Sequence, residues 1–324
     1  SWKELSGVDL ELIGKRNYDV VVFFQVFNID PVQLKEHNIK NAVFVPMYDA
    51  SHWLHKDFLM KFSRYKFINF SKKLHKNFKK LNLNSIYTQY YCPPPKEPDI
   101  DQRQELTGFF WQRYDWINWN HISSLIKHAP FKKIHIHKAI DPPGYEFYPP
   151  TQEEMDKYDI TISEWFEDPQ EYFEILDKSD VFFVPRKHEG IGMSFIEAMS
   201  MGKCVVAPDL PTMNEYIAHE ENGLLYDLQK LKPLSFENIN EISRNAYTTV
   251  KSGYEQWKEG EQRILEFCDA PTRYWNGRKE TSSGNVLVNS VKNGVHDLRH
   301  HINYRYPKAA KFMYNVRKRI GLNL

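Results

Sequence analysis

The chain has 324 residues, 41% hydrophobic and 15% aromatic, enough to bury the cores of two ordinary domains and too apolar for a disordered or fibrous protein. Lys and Arg number 43 against 42 Asp and Glu, so no global field favours nucleic acid and any electrostatic attraction must be local. Cys92, Cys204 and Cys268 are too few and too scattered for a disulfide framework or a zinc knuckle and fit a reducing cytoplasm, and no run of about eighteen apolar residues offers a membrane span.

In chain order, YDVVVFFQVF (18–27) is a nearly continuous apolar run of the kind expected for a strand buried on both faces. AVFVP (42–46) and YKFINF (65–70) repeat it. SKKLHKNFKKL (71–81) reads as a helix, with Ser71 as its cap and Leu74, Phe78 and Leu81 on one face. CPPPKEPDIDQRQ (92–104) can join neither a sheet nor a helix interior and reads as a linker. A second alternating series follows: LTGFFW (106–111), a helix near 120–128, KKIHIH (132–137), ITI (160–162), a helix near 168–178, DVFFVP (180–185), a helix holding Glu197, KCVVAP (203–208), NGLLYD (222–227), and helical segments from about 236. Alternation of this kind predicts two doubly wound parallel α/β domains. The expected layout is an N-terminal domain over 1–95, a linker over 96–104, a second domain over 105–265 and a helical basic tail over 266–324. The first residue is Ser1, which leaves room for an upstream segment and with it a first strand of the N-terminal domain.

The richest stretch is HEGIGMSFIEAMSMGKCVVAPD (188–209). DVFFVP delivers the chain to the carboxyl edge of a parallel sheet, where such sheets bind ligands. Gly190 and Gly192 permit a tight turn, and a helix beginning near Met193 presents unpaired amides and a partial positive charge, an anion site. Glu189 before the turn and Glu197 after it can accept hydrogen bonds from ligand hydroxyls. On chemistry alone, a plain strand-to-helix turn with two solvated glutamates fits equally well.

The run DVFFVPRKHEGIGMSFIEAMSMGKCVVAPDLPTMNEYIAHEENGLLYD resembles the donor-binding core of retaining GT-B glycosyltransferases in the glycosyl transferases group 1 family (glycosyltransferase family 4). It has the E-x7-E motif at Glu189 and Glu197, the E-A-x-x-x-G helix, the V-V-A strand and the N-G-L-L segment in the family's order. The resemblance implies an α/β GT-B fold, two Rossmann-like domains facing a central cleft. It further implies hexosyltransferase-like transfer, with retention and without metal or cofactor, from a nucleotide-sugar donor to a glycan or lipid-linked acceptor in polysaccharide biosynthesis. By the same resemblance, Glu189 holds donor-sugar hydroxyls. Gly190, Ile191, Gly192, Met193 and Ser194 hold sugar and diphosphate, and Glu197 holds the ribose. Arg113 matches the family's arginine after the first strand of the second domain, but the lysine five residues on is Asn118. Loss of one cation aimed at a leaving group is expected to cost about 2 to 4 kcal/mol, and Arg186 and Lys187 are the nearest replacements. His137, Lys138 and Asp141 stand where relatives carry a glycine-rich turn, and Pro211 and Thr212 replace a Gly-Gly pair. Tyr48 and Asp49, with His52 beyond, stand where relatives have a His-Asp pair, making Asp49 and His52 candidate sugar or acceptor contacts; Asp49 fits a helix cap as well.

His135 and His137 share a strand face, yet two ligands make a poor metal site, and none is expected. Residues 61–80 carry eight Lys or Arg and no acid, with aromatics at core spacing, which favours a solvated helix face over nucleic acid. From Leu298 to Leu324 there are seven Lys or Arg and again no acid, and Pro307 opens an apolar stripe flanked by Lys308, Lys311, Lys318 and Arg319. A helix over 307–324 is compatible with peripheral contact to an anionic membrane from the cytoplasmic side and with packing on the first domain. Two rival functions stand beside the retaining transferase: an inverting GT-B transferase, and a non-catalytic sugar-nucleotide-binding partner subunit.

Overall fold

The computed structural model describes residues 10–16, 18–27, 29–100, 104–140 and 144–271. The chain forms two α/β units, one within Ser1–Gln89 and again from Lys258 on, the other Tyr90–Trp257. The predicted tail helix over 307–324, Asp141 and residues 101–103 of the linker lie outside the described residues.

The first unit runs α1 (Leu10–Arg16), β1 (Val21–Phe24), α2 (Pro31–Glu36), β2 (Ala42–Val45), α3 (Tyr48–Ser51), α4 (Lys56–Lys61), β3 (Lys66–Asn69), α5 (Lys72–Lys80) and β4 (Asn84–Tyr87). Its sheet has the order β1-β2-β3-β4, parallel throughout. The central strands β2 and β3 are buried along their whole length. The expectation that the first run is buried on both faces does not hold: β1 is an edge strand among the described residues, and Phe24 is 54% exposed. Phe44, Phe62, Phe67 and Phe78 interlock with mostly edge-on rings at the centre of the core. Ser71 caps α5 as expected, its hydroxyl accepting the Leu74 amide at 3.2 Å.

The second unit runs β5 (Leu106–Trp111), α6 (Trp119–Leu125), β6 (Phe131–His137), α7 (Gln152–Lys157), β7 (Ile160–Ser163), α8 (Pro169–Asp177), β8 (Val181–Phe183), α9 (Met193–Ser200), β9 (Cys204–Pro208), α10 (Met213–Tyr216) and β10 (Leu224–Tyr226). Its parallel sheet has the order β10-β9-β8-β5-β6-β7. Consecutive strand residues serve opposite cores. Phe110, Phe183 and Val206 enter one, while Phe109, Phe182 and Val205 enter the other, which is why these strands read as unbroken apolar runs. From β5 the chain adds β6 and β7 on one side, then returns so that β8 lies against β5 on the other. The carboxyl ends of β5 and β8 therefore flank the switch point where such sheets bind ligands.

The long helix α11 (Ile239–Asp269) begins in the second unit, and its last turns belong to the first. That end is held by a buried cation. Lys66 on β3, 1% exposed, donates to the carbonyls of Phe267, Cys268 and Ala270 at 2.8, 2.7 and 2.6 Å, and Asn41 donates to Cys268 O at 3.1 Å. A helix carries partial negative charge on its terminal carbonyls, so one ammonium satisfies three orphan acceptors and the dipole together. Lys66→Met keeps the chain length and removes the donors; urea unfolding should show a loss of about 2 to 4 kcal/mol. A loss within about 0.5 kcal/mol, the range of ordinary surface changes, would mean that water serves those carbonyls as well.

His135 and His137 do share one face of β6, where both stack on Phe109. Ser163 Oγ lies 2.8 Å from His135 Nε2 and 2.9 Å from His137 Nδ1, and Thr161 Oγ1 lies 2.9 Å from His135 Nδ1. Burial, with Lys133 adding to it at His135 and His135 adding to it at His137, lowers both rings from 6.5 to about 4. The folded protein thus binds these protons less tightly than the unfolded chain. Their contribution to stability is complete above about pH 6.5 and is lost as pH falls toward 4. Thermal midpoints of the wild type should fall across that window, and the His135→Gln/His137→Gln protein should show a shallower fall; parallel curves would clear the pair of responsibility.

Candidate functional site

The site is built at the carboxyl ends of β5 and β8. After β8 the chain turns through Arg186 to Gly192 into α9. Gly192 is the N-cap of α9 at φ +85°, in the left-handed region, and a Cβ there would fall 1.9 Å from Phe195 Cε1. Only glycine fits both the backbone and the space. No side chain caps this end of α9, so its first amides point out of the helix beside a partial positive charge. The other end closes fully: Gly202, at φ +67°, donates to Met199 O and Lys203 donates to Ala198 O, a complete glycine C-cap. Gly190 is buried, Ile191 and Ser194 are half-buried, and Met193 is exposed on the first turn.

The two motif glutamates sit on either side of this turn in different surroundings. Glu189 is 7% exposed. Its carboxylate accepts from Arg186 Nη1 at 3.2 Å, and its carbonyl accepts from Thr212 Oγ1 at 3.3 Å. Thr212, in place of a family glycine, thus ties the loop after β9 to the turn. Glu197 lies on α9, and burial holds its carboxyl above the usual range. The Glu197 charge adds to the effect of burial in raising the Tyr172 phenol and the Cys92 thiol. Tyr172 Oη is buried without a hydrogen-bond partner among the described residues, which marks it as a neighbour of Glu197 that motif reading missed. Its type and place on α8 gave no signal beyond an aromatic at core spacing.

The cations gather around an aromatic pair. Arg113 follows β5 with its guanidinium 4.7 Å from the Trp111 ring centroid. Tyr114 and Trp116 stack at 4.8 Å, with Arg186 5.4 Å over Tyr114 and Lys187 5.4 Å over Trp116. Asn118, at the position of the family's lysine, caps α6: its Oδ1 accepts the Asn120 amide at 3.1 Å, and its Nδ2 donates to Asp115 O at 3.0 Å. The position does architectural work that a lysine could not do. Burial lowers the Lys187 pKa against the opposing pull of Asp115, and the Lys187 charge adds to burial in lowering His121. Asp115 and His121 lie three residues before and after Asn118. The pairing of Tyr114 and Trp116, two apart, with consecutive cations was legible in the sequence only in hindsight.

Asp49 and His52 belong to the first unit: Asp49 Oδ1 accepts the Ala50 amide at 3.0 Å within α3, and His52 follows α3 and stacks on Tyr48 at 5.2 Å. Asn222 of the N-G-L-L segment is structural. It accepts from the Ala218 amide at 2.8 Å and donates to Tyr216 O and Thr249 Oγ1, both at 3.1 Å. Among the described residues no group of three or more His, Cys, Asp or Glu could hold a metal ion, and no helix is long and apolar enough to cross a membrane.

Residues 155–245, from α7 into α11, match the model of the family described as Glycosyl transferases group 1. No curated protein matches the chain in sequence. Among solved structures, the chain is similar to a glycosyltransferase from Rickettsia africae ESF-5, at 15% identity over 80% of this chain and 79% of that one, with a TM-score of 0.56. It is also similar to Anabaena Alr3699/HepE in complex with UDP, at 14% identity over 78% and 82%, with a TM-score of 0.54. A third is the pneumococcal O-GlcNAc transferase GtfA in complex with UDP and GlcNAc, at 14% identity over 79% of this chain and 60% of that one, with a TM-score of 0.52. At such identities the likeness bears on fold alone. The two parallel-sheet units are those of a GT-B fold, and with the glycosyl transferases group 1 segment at residues 155–245 the chain is a glycosyltransferase.

Proposed function

We propose that the protein is a retaining, metal-independent glycosyltransferase that moves a sugar from a nucleotide-sugar donor to a glycan or lipid-linked acceptor. The observation that carries this reading is the uncapped N-terminus of α9, held by left-handed Gly192 between Glu189 and Glu197. The amides of that turn face the diphosphate, Glu189 takes donor-sugar hydroxyls and Glu197 takes the ribose. Reaction breaks the bond between the anomeric carbon and the phosphate oxygen and forms one to the acceptor oxygen on the same face. The acceptor proton passes to the departing diphosphate. Arg113 and Lys187 offset the charge that develops there, with Lys187 reaching from the loop after β8 to make up for the lysine that Asn118 replaces. UDP occurs in the complexes of two structural neighbours, so UDP-sugars are the first donors to test. The reading includes peripheral attachment to an anionic membrane through residues 307–324.

One observation favours the non-catalytic rival. Arg186 engages the Glu189 carboxylate that the donor sugar would use. A donor-hydrolysis panel over UDP, GDP, dTDP and ADP sugars, with the anomer followed by NMR, separates the readings. Release of the retained anomer is expected. An inverted product would end the retaining mechanism, and binding without turnover of any donor or acceptor would leave the partner subunit.

Within the transferase, Glu189→Ala should reduce transfer by more than tenfold, and a loss of about 1.4 kcal/mol or less in transition-state stabilisation would sink its role. Glu197→Ala should weaken binding of the nucleoside diphosphate by about 1.5 to 3 kcal/mol, measured by calorimetry. Arg113→Ala and Lys187→Ala should each cost more affinity for the nucleoside diphosphate than for the nucleoside, because their charge is aimed at phosphate. Equal losses for the two ligands would refute both assignments.

A further inference from the structure

A groove of about 410 Å³ runs along one neutral face of α11, and every residue that lines it belongs to the second unit. One wall is the ring of Tyr91, which lies so close to the helix that a Cβ at Gly253 would fall 2.5 Å from Tyr91 Cζ. Glycine is a poor residue for a helix interior, and the approach of this ring accounts for it here. Tyr91 is 8% exposed and packs edge-on against Tyr216 at 5.3 Å. Its hydroxyl has no hydrogen-bond partner among the described residues, although the residue lines the groove. Burial raises the phenol, which keeps it a neutral donor. A nearly buried hydroxyl without a partner is costly unless something that enters the groove completes it.

The rest of the lining is mostly hydroxyl and amide. Thr248, Ser252 and Gln256 follow one another at helical spacing and are exposed. Thr248 Oγ1 donates to Arg244 O at 2.9 Å and keeps its lone pairs open, and the side chains of Ser252 and Gln256 have no hydrogen bond among the described residues. Asn245 Nδ2 donates to Glu221 O at 2.9 Å, which ties the Glu221 turn to the helix. Among the described residues the Glu221 carboxylate is the only charged group in the lining. The neighbouring cations of α11 are engaged by the linker: Arg244 donates to Ile100 O at 3.1 Å, and Lys251 lies 3.6 Å from Glu97. Such a lining repels phosphate and offers acyl chains no apolar floor. Sugar hydroxyls both donate and accept, so they match mixed hydroxyls and amides, and the C–H face of a sugar suits an aromatic ring.

We propose that this groove is a binding site for a neutral glycan, separate from the donor site. It lies at the amino end of β10, which Glu221 precedes, whereas the donor site is built at the carboxyl ends of β5 and β8. Tyr91 donates to one sugar hydroxyl, Glu221 accepts from another, and Thr248, Ser252 and Gln256 supply further donors and acceptors. The inference goes beyond the proposed reaction and does not rest on it.

The test is saturation-transfer NMR on the full chain with maltotriose, cellotriose, mannotriose and N-acetylchitotriose, with UDP present to occupy the donor site. At least one of these sugars should bind with a Kd of about 1 mM or tighter. Tyr91→Phe should bind that sugar about threefold to tenfold more weakly, with an unchanged or higher thermal midpoint because the hydroxyl has no partner within the protein. Thr248→Arg/Ser252→Arg puts long side chains into the groove from exposed positions. It should abolish sugar binding and leave hydrolysis of a soluble donor unchanged, and Glu189→Ala should keep the sugar binding. The proposal is overturned if none of these sugars binds, which would leave a protein segment as the occupant, or if either groove variant binds like wild type. Loss of binding in Glu189→Ala would also overturn it, by assigning the sugar to the donor site.

Discussion

The candidate site depends on one residue's inability to carry a side chain. Gly192 must take a left-handed conformation to swing the chain from β8 into α9, and the Phe195 ring fills the space where its Cβ would go. That ring packs edge-on against Tyr216 at 5.5 Å, and the carbonyl of Tyr216 is held by the buried amide of Asn222. The N-G-L-L segment, far along the chain from the turn, thus fixes the turn through two packed aromatics. Preorganised amides are the reward, since a helix start that is already shaped needs no rearrangement when charge arrives.

The departures from the family's pattern form a connected set. Asn118, a neutral amide, is the cap of α6, and across the switch point Lys187 rides on Trp116. Arg186 rides on the stacked partner, Tyr114. Thr212, which displaces a glycine, adds a hydrogen bond to the Glu189 backbone. Asn118 and Thr212 both serve the frame, while Arg186 and Lys187 keep the chain after β8 cationic. Arg186 also bears on the role proposed for Glu189, because its ion pair with that carboxylate would have to open or be shared with a sugar hydroxyl.

The parallel strands were legible because both faces of the second sheet are covered, so β5, β8 and β9 read as unbroken apolar runs. β4 was not, because NSIY at the sheet edge is half polar, and α7 was not, because QEEMDK buries no side chain. The burial of β1 was over-read for the same reason in reverse, since an apolar run does not reveal whether a neighbour exists on its far side. At the site, Glu189, Glu197 and the glycines announce themselves by spacing along one segment. Tyr114, Trp116 and Tyr172 do not. Their roles arise from contacts between β5, β8 and α8 that only the sheet order creates.

Lys66 illustrates the same limit from the side of charge. In the sequence it is one of eight cations in a basic run, indistinguishable from the lysines of α5. In the structure it is buried on three carbonyls, while its neighbours along the run are exposed. The division follows from geometry. Lys66 occupies β3, a central strand buried on both faces, so its ammonium must find acceptors inside the protein and finds them at the end of α11. The lysines of α5 ride the exposed face of an amphipathic helix whose other face buries Leu74 and Phe78. One basic run therefore has two unrelated physical meanings, set by whether the residue lies on a buried strand or on the outer face of a helix.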